Sequence, residues 1–157
     1  MKYVCLGYIE SGKFEGMTED ERQATFDECF EYNDHLRANG HLVPTNSWVK
    51  SSPTVVNGVL YVGSDDHKVY AIDANTGQLK WALPTRGSVQ SSPTVVNGVL
   101  YVGSGDSSVY AIDANTGQKI WAFPTGNFVD SSPTVVNGVL YVGSGDDKVY
   151  ALTLPAS

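Results

Sequence analysis

The stretch SSPTVVNGVLYVGS at Ser51–Ser64 returns unchanged at Ser91–Ser104 and at Ser131–Ser144, each time 40 residues further on. A fixed period of this length marks a repeat architecture, in which each unit buries its apolar face only against its neighbours. Within one period every segment reads as strand. Pro53–Val56 is short and β-branched, and Val59–Gly63 (VLYVG) follows it across Asn57-Gly58. That dipeptide is a strong hairpin signal, because both central positions of a type I′ turn need positive φ. The polar turn Ser64–His67 leads into Lys68–Ile72 (KVYAI), and the turn Asp73–Gly77 into Gln78–Leu83 (QLKWAL). In that second turn the aspartate accepts backbone amides and the glycine takes the left-handed conformation.

Four short antiparallel strands per roughly 40 residues is the arithmetic of a propeller blade. The phase follows from counting. Ala38–Gly77, Gln78–Gly117 and Gln118–Ser157 are three units with no residue left over, and His41-Leu42-Val43-Pro44-Thr45 aligns with Trp81–Thr85 and with Trp121–Thr125. Each unit therefore begins with the fourth strand of a preceding blade. The chain carries two complete blades, a third lacking its fourth strand, and a spare fourth strand. Three blades do not close a ring, which takes roughly four to eight. An unclosed stack leaves sheet edges and apolar faces bare. The expectation is a C2 homodimer with a six-bladed ring. In it Lys148–Leu152 pairs with His41–Thr45 of the partner subunit, and His41, Leu42, Val43, Val149, Tyr150 and Leu152 form the closure.

The motif AIDANTGQLKW at Ala71–Trp81, repeated as AIDANTGQKIW at Ala111–Trp121, resembles the tryptophan-docking motif of PQQ-like propeller repeats, A-x-D-x-x-T-G-x-x-x-W. Those repeats occur in quinoprotein dehydrogenases and in non-enzymatic propellers, including an outer-membrane assembly lipoprotein. The resemblance spans residues 41–157. It implies that Trp81 and Trp121 pack between neighbouring blades and that the turns of Asp73, Gly77, Asp113 and Gly117 brace them.

Residues 1–40 read differently. Lys2–Ile9 is a strand-like apolar run and Ser11–Gly16 a loop. Thr18-Glu19-Asp20-Glu21 is a capping-box signature that opens an amphipathic helix, with Phe26, Cys29, Phe30 and Leu36 on one side and Asn39-Gly40 as its stop. MKYVCLGYIE and the helix after it resemble the first half of a YCII-related (DGPF) domain. This implies a ferredoxin-like β–α element ahead of the propeller repeats. The DGPF segment itself is missing, so the resemblance assigns no functional residue.

Composition limits function further. The chain has 157 residues, 41% hydrophobic and 17% charged, with a net charge of −7. That is the profile of a folded acidic protein, and phosphate contacts would be repulsive, which argues against nucleic acid. Cys5 and Cys29 read as buried reduced thiols. No signal-peptide core and no apolar run of about 20 residues is present, so the expected location is cytoplasmic, away from membranes.

Candidate chemistry is sparse. His35 and His41 lack partners at ligand spacing. The acids Asp65-Asp66, Asp106 and Asp146-Asp147 sit in equivalent turns, and turn chemistry explains them better than calcium, which needs six to eight oxygens. VGSGDSS lacks the lysine of a phosphate loop. Ser51-Ser52, Ser91-Ser92 and Ser131-Ser132 have no recurring histidine or aspartate companion. A bound quinone would need a full ring with basic and metal-binding residues. No catalytic residue, metal or cofactor is expected. Ser51–Gly77 and Ser91–Gly117 differ only at the positions of Asp65, His67 and Lys68. Such uniformity suggests recent amplification or design, and the first expectation is a non-enzymatic, self-assembling structural scaffold. The alternative is a protein- or ligand-binding propeller module; a quinoprotein-like enzyme comes third.

Overall fold

The computed structural model describes Thr18 and residues 47–155. The chain divides into two units, Met1–Leu42 and Val43–Ser157, and every element below belongs to the second. Apart from Thr18, which is exposed, the expected N-terminal strand and helix lie outside the described residues, as do Cys5, Cys29, His35 and the closure residues His41, Leu42 and Val43.

Among the described residues there are eleven strands and no helix. They form three antiparallel sheets. The first has the order β1(Thr54–Val56), β2(Val59–Ser64), β3(Lys68–Asp73), β4(Leu79–Pro84). The second repeats it with β5(Thr94–Val96), β6(Val99–Ser104), β7(Ser108–Asp113) and β8(Lys119–Pro124). The third has β9(Thr134–Val136), β10(Val139–Ser144) and β11(Lys148–Thr153), with β11 at its edge.

The turns explain the meander. Asn57 and Gly58 have φ of 51° and 74°, Asn97 and Gly98 50° and 77°, and Asn137 and Gly138 50° and 74°. These values match the right-handed twist of the flanking strands. The β2–β3 hairpin pairs Ser64 with Lys68 across a three-residue loop. Its last residue is left-handed in every blade: His67 at 67°, Ser107 at 64° and Asp147 at 65°. Asp73 closes the β3–β4 turn, its Oδ1 accepting from the amides of Asn75 and Thr76 at 3.0 and 2.9 Å.

The core lies between sheets. Alternation sends Tyr61, Val69 and Ala71 of the first sheet to one face, where they pack on Leu100, Val102, Tyr110 and Ile112 of the second. Tyr101, Val109 and Ala111 of the second sheet pack in the same way on Leu140 and Val142 of the third. Gly103 is where the joint is tightest: a Cβ there would lie 2.4 Å from the carbonyl oxygen of Val129, so no side chain fits at this position.

Two expectations need correction. The β–α ferredoxin-like component of the fold class is not retained, because the described residues are mainly β and helix-free. The six-bladed ring closed by homodimerisation is not found: among the described residues the three sheets stand as separate blades without closure.

Candidate binding surface at the third blade

The joint between the first two blades is built from the repeat motif. The Trp81 indole N–H donates to the carbonyl of Ala114 at 3.0 Å, and the Tyr61 hydroxyl donates to the same oxygen at 3.1 Å. The two rings lie 5.9 Å apart at 43°. Gly117, at φ 73°, lies under the indole, so closely that a Cβ would sit 2.6 Å from its Cδ2. Trp121 repeats the pairing with Tyr101 at 6.0 Å and 43°. Asp73 and Asp113 are held below the usual carboxylate range, chiefly by the Thr76 and Thr116 amides donating to them.

The SSPT segment makes a second joint. The Ser52 amide donates to Ser92 Oγ at 2.9 Å and the Ser92 amide to Ser132 Oγ at 3.2 Å. The hydroxyls of Thr94 and Thr54 donate to the carbonyls of Pro133 and Pro93 at 2.5 and 2.6 Å. Ser91 Oγ accepts from the Gly103 amide at 3.0 Å. The serines are thus consumed in structure. Reading for nucleophiles missed this role, although the exact 40-residue recurrence of the segment was its signal.

A third feature was also missed. Tyr70, Tyr110 and Tyr150 each donate a hydroxyl hydrogen bond to Asp66, Asp106 and Asp146, at 2.5, 2.6 and 2.6 Å. The connecting loops join in through the amides of Arg86 and Gly126, which donate to Asp106 and Asp146 at 3.0 Å. Burial, then the hydrogen bond to the aspartate, pushes Tyr70 and Tyr110 up to about 12. The Tyr150 hydroxyl holds Asp146 well below the usual carboxylate range. The i, i+4 spacing of Asp66 and Tyr70 was visible in the sequence. Their contact depends on the hairpin folding back.

These joints stop at the third sheet. Val149 is 77% exposed, whereas its counterparts Val69 and Val109 are 0% exposed. Tyr141 is 43% exposed against 3% and 5% for Tyr61 and Tyr101. Thr134, the counterpart of Thr54 and Thr94, is exposed too. Tyr150 and Leu152, expected in the closure, instead pack toward the second sheet, Tyr150 against Phe123 at 5.6 Å. Of the expected closure residues in the described set, Val149 alone lies on the exposed face.

The described residues do not fit a quinone with its metal. No three His, Cys, Asp or Glu side chains among them converge as a metal site. The second carboxylate oxygens of Asp66, Asp106 and Asp146 are buried without a hydrogen-bond partner, but they sit in three separate turns. Lys50, Lys68, Lys80 and Lys148 are paired to aspartates at 3.2, 3.9, 3.8 and 3.2 Å.

A family model described as outer membrane protein assembly factor BamB matches residues 34–155. Among solved structures, the quinohemoprotein alcohol dehydrogenase ADHIIG of Pseudomonas putida HK5 is 31% identical, with a TM-score of 0.59, over 66% of this chain and 18% of its own. That of Comamonas testosteroni is 28% identical, with a TM-score of 0.58, over 63% and 17%. BamB of Moraxella catarrhalis shares the fold at 18% identity and a TM-score of 0.62, over 71% and 35%. The chain therefore spans a minor part of each of these proteins. No curated protein sequence matches it.

These findings overturn several expectations. The family match reaches back to residue 34, into the stretch assigned to the YCII-like helix, and that assignment is dropped. The inert or designed scaffold and the absence of enzyme activity give way to the likeness to alcohol dehydrogenases and an assembly factor. The cytoplasmic location gives way to the family's description as an outer-membrane assembly factor. With 34–155 matched, this chain belongs to the PQQ-like propeller family described as outer membrane protein assembly factor BamB.

Proposed function

We propose that the chain is a protein-binding propeller module whose contact surface is the exposed face of the third blade. The observation that carries this reading is the match of residues 34–155 to a family described as an assembly factor, with Val149 77% exposed at a position with 0% exposure in the two preceding blades. An apolar face of this kind on a folded protein marks an interaction site. The family's description as an assembly factor supports a protein as the occupant. In this reading Trp81 and Trp121, with the Asp73–Gly77 and Asp113–Gly117 turns, dock the blades and keep the third sheet in a fixed pose.

The test is position-specific photo-crosslinking. A benzophenone side chain at Val149 should give a discrete adduct with another protein, and the same group at Ile120, on the second blade, should not. Equal labelling from both positions, or none from Val149, would refute the reading.

The 31% and 28% identities to alcohol dehydrogenases support a second reading, a unit of a larger quinone-dependent enzyme. Alcohol-dependent dye reduction by the chain supplied with quinone and calcium would favour it over the first.

A further inference from the structure

We infer that the Asn-Gly turns of the three blades are sites of spontaneous deamidation, and that the isoaspartyl product of Asn97 loosens the joint between the first two blades. Six asparagines stand among the described residues, Asn57, Asn75, Asn97, Asn115, Asn127 and Asn137, and all six are exposed. They fall into two groups by the state of the next backbone amide, which is the nucleophile of the reaction. The Thr76 and Thr116 amides donate to Asp73 and Asp113 at 2.9 and 2.7 Å, and the Phe128 amide donates to the Asn127 side-chain oxygen at 2.9 Å. The amides of Gly58, Gly98 and Gly138 have no acceptor among the described residues. These three residues also lack a Cβ that would hinder approach to the asparagine side chain. Around Gly98 and Gly138 nothing stands within 4 Å of where a Cβ would be.

The reaction needs water and no other co-reactant. The glycine nitrogen bonds to the asparagine Cγ, the Cγ–Nδ2 bond breaks, and ammonia leaves with the proton that the glycine nitrogen gives up. Water then opens the succinimide in one of two ways. Breaking the bond between the ring nitrogen and Cγ gives aspartate. Breaking the bond between the ring nitrogen and the main-chain carbonyl carbon gives isoaspartate, in which the backbone runs through Cβ and Cγ. Aspartate keeps the hairpin, since Asp-Gly suits the same type I′ turn. Isoaspartate adds a methylene to the backbone of a two-residue loop whose ends are fixed by the pairing of Val56 with Val59, Val96 with Val99 and Val136 with Val139, so the turn distorts.

At one of the three turns that distortion reaches a blade joint. The Ala114 amide donates to the Gly98 carbonyl at 2.9 Å. The Ala114 carbonyl accepts from the Trp81 indole and the Tyr61 hydroxyl at 3.0 and 3.1 Å. A shift of Gly98 therefore displaces the residue on which the first blade docks. Ala74 and Leu154 make the same bond to Gly58 and Gly138, both at 2.8 Å, but neither of their carbonyls accepts from a tryptophan among the described residues.

The test ages the folded full chain in mildly alkaline buffer made with heavy-oxygen water, followed by peptide mapping. Cleavage after lysine and arginine puts the three identical turns on different peptides, Ser51–Lys68, Gly87–Lys119 and Ile120–Lys148, and fragmentation locates the converted residue. Heavy-oxygen uptake at Asn57, Asn97 and Asn137 should run several-fold ahead of that at Asn75, Asn115 and Asn127, with isoaspartate detected by isoaspartyl methyltransferase labelling. Equal rates at all six positions, or no isoaspartate at the three turns, overturns the assignment of the sites. Two double variants test the joint. Asn57→Asp with Asn137→Asp leaves Asn97 as the one described Asn-Gly turn, and Asn97→Asp with Asn137→Asp leaves Asn57. Both should unfold like the parent chain before ageing, because aspartate keeps the turn. After ageing to the same isoaspartate content, the first should unfold at a clearly lower guanidinium midpoint and the second at a midpoint nearer the parent's. Equal losses in the two chains, or no loss in the first, overturns the coupling of Asn97 to the blade joint.

Discussion

Gly117→Ala tests whether the tryptophan turn welds neighbouring blades. Two costs arise at once. Gly117 has φ 73°, a region where a Cβ costs about 1 kcal/mol or more. The new methyl would also lie 2.6 Å from Trp81 Cδ2, against about 3.5–4.0 Å for ordinary carbon contact. The indole must therefore move by roughly 1 Å, which strains its hydrogen bond to Ala114; overpacking of this kind costs about 1–3 kcal/mol. The variant should lose about 2–4 kcal/mol in guanidinium unfolding followed by circular dichroism. Trp81→Ala removes the obstacle and should itself cost about 2–3 kcal/mol, below the range for a fully buried tryptophan because the ring is half-buried. In the Trp81→Ala background Gly117→Ala should retain only the backbone cost of about 1 kcal/mol. The cycle thus gives a coupling of about 1–3 kcal/mol. Equal cost of Gly117→Ala in both backgrounds, or a single-variant loss below about 0.5 kcal/mol, would refute the reasoning.

Other predictions concern the same blades. Thr94→Val removes the donor to the Pro133 carbonyl and should cost about 1 kcal/mol in the same unfolding assay. Ser107→Gly replaces a side chain at φ 64° and should stabilise by about 0.5–1 kcal/mol, a rise in Tm seen by calorimetry. The Tyr70 and Tyr110 hydroxyls have folded values raised to about 12. Their contribution is therefore full below the unfolded tyrosine value of about 10 and is lost as pH climbs from there toward 12. Stability should fall across that window together with the appearance of tyrosinate absorbance, and Tyr110→Phe should flatten the fall. Asp73 and Asp113 are shifted down, so their contribution is present above about 3.9, the unfolded value, and fades as pH drops through their lower folded values. Asp113→Asn should weaken that acid limb of the pH profile.

How much of this was legible in the sequence varies by feature. The blade count, the type I′ turns and the face alternation follow from local rules. Asn-Gly needs positive φ at both positions, and a strand's side chains alternate with period two wherever they are placed. The tryptophan motif could be located by its spacing. Its partners could not, because the Ala114 carbonyl lies 33 residues away in the next blade. The serines at 52, 92 and 132 looked like unexplained polar residues until neighbouring inner strands brought them into a chain of hydrogen bonds.

The sequence alone thus determined the repeat and the identity of each turn, since those depend on contacts within one hairpin. The tertiary structure decided which faces are covered. Val69, Val109 and Val149 occupy identical strands, and no local rule distinguishes them. Burial is a property of what stands opposite: among the described residues the second sheet faces Val69, the third faces Val109, and no sheet faces Val149.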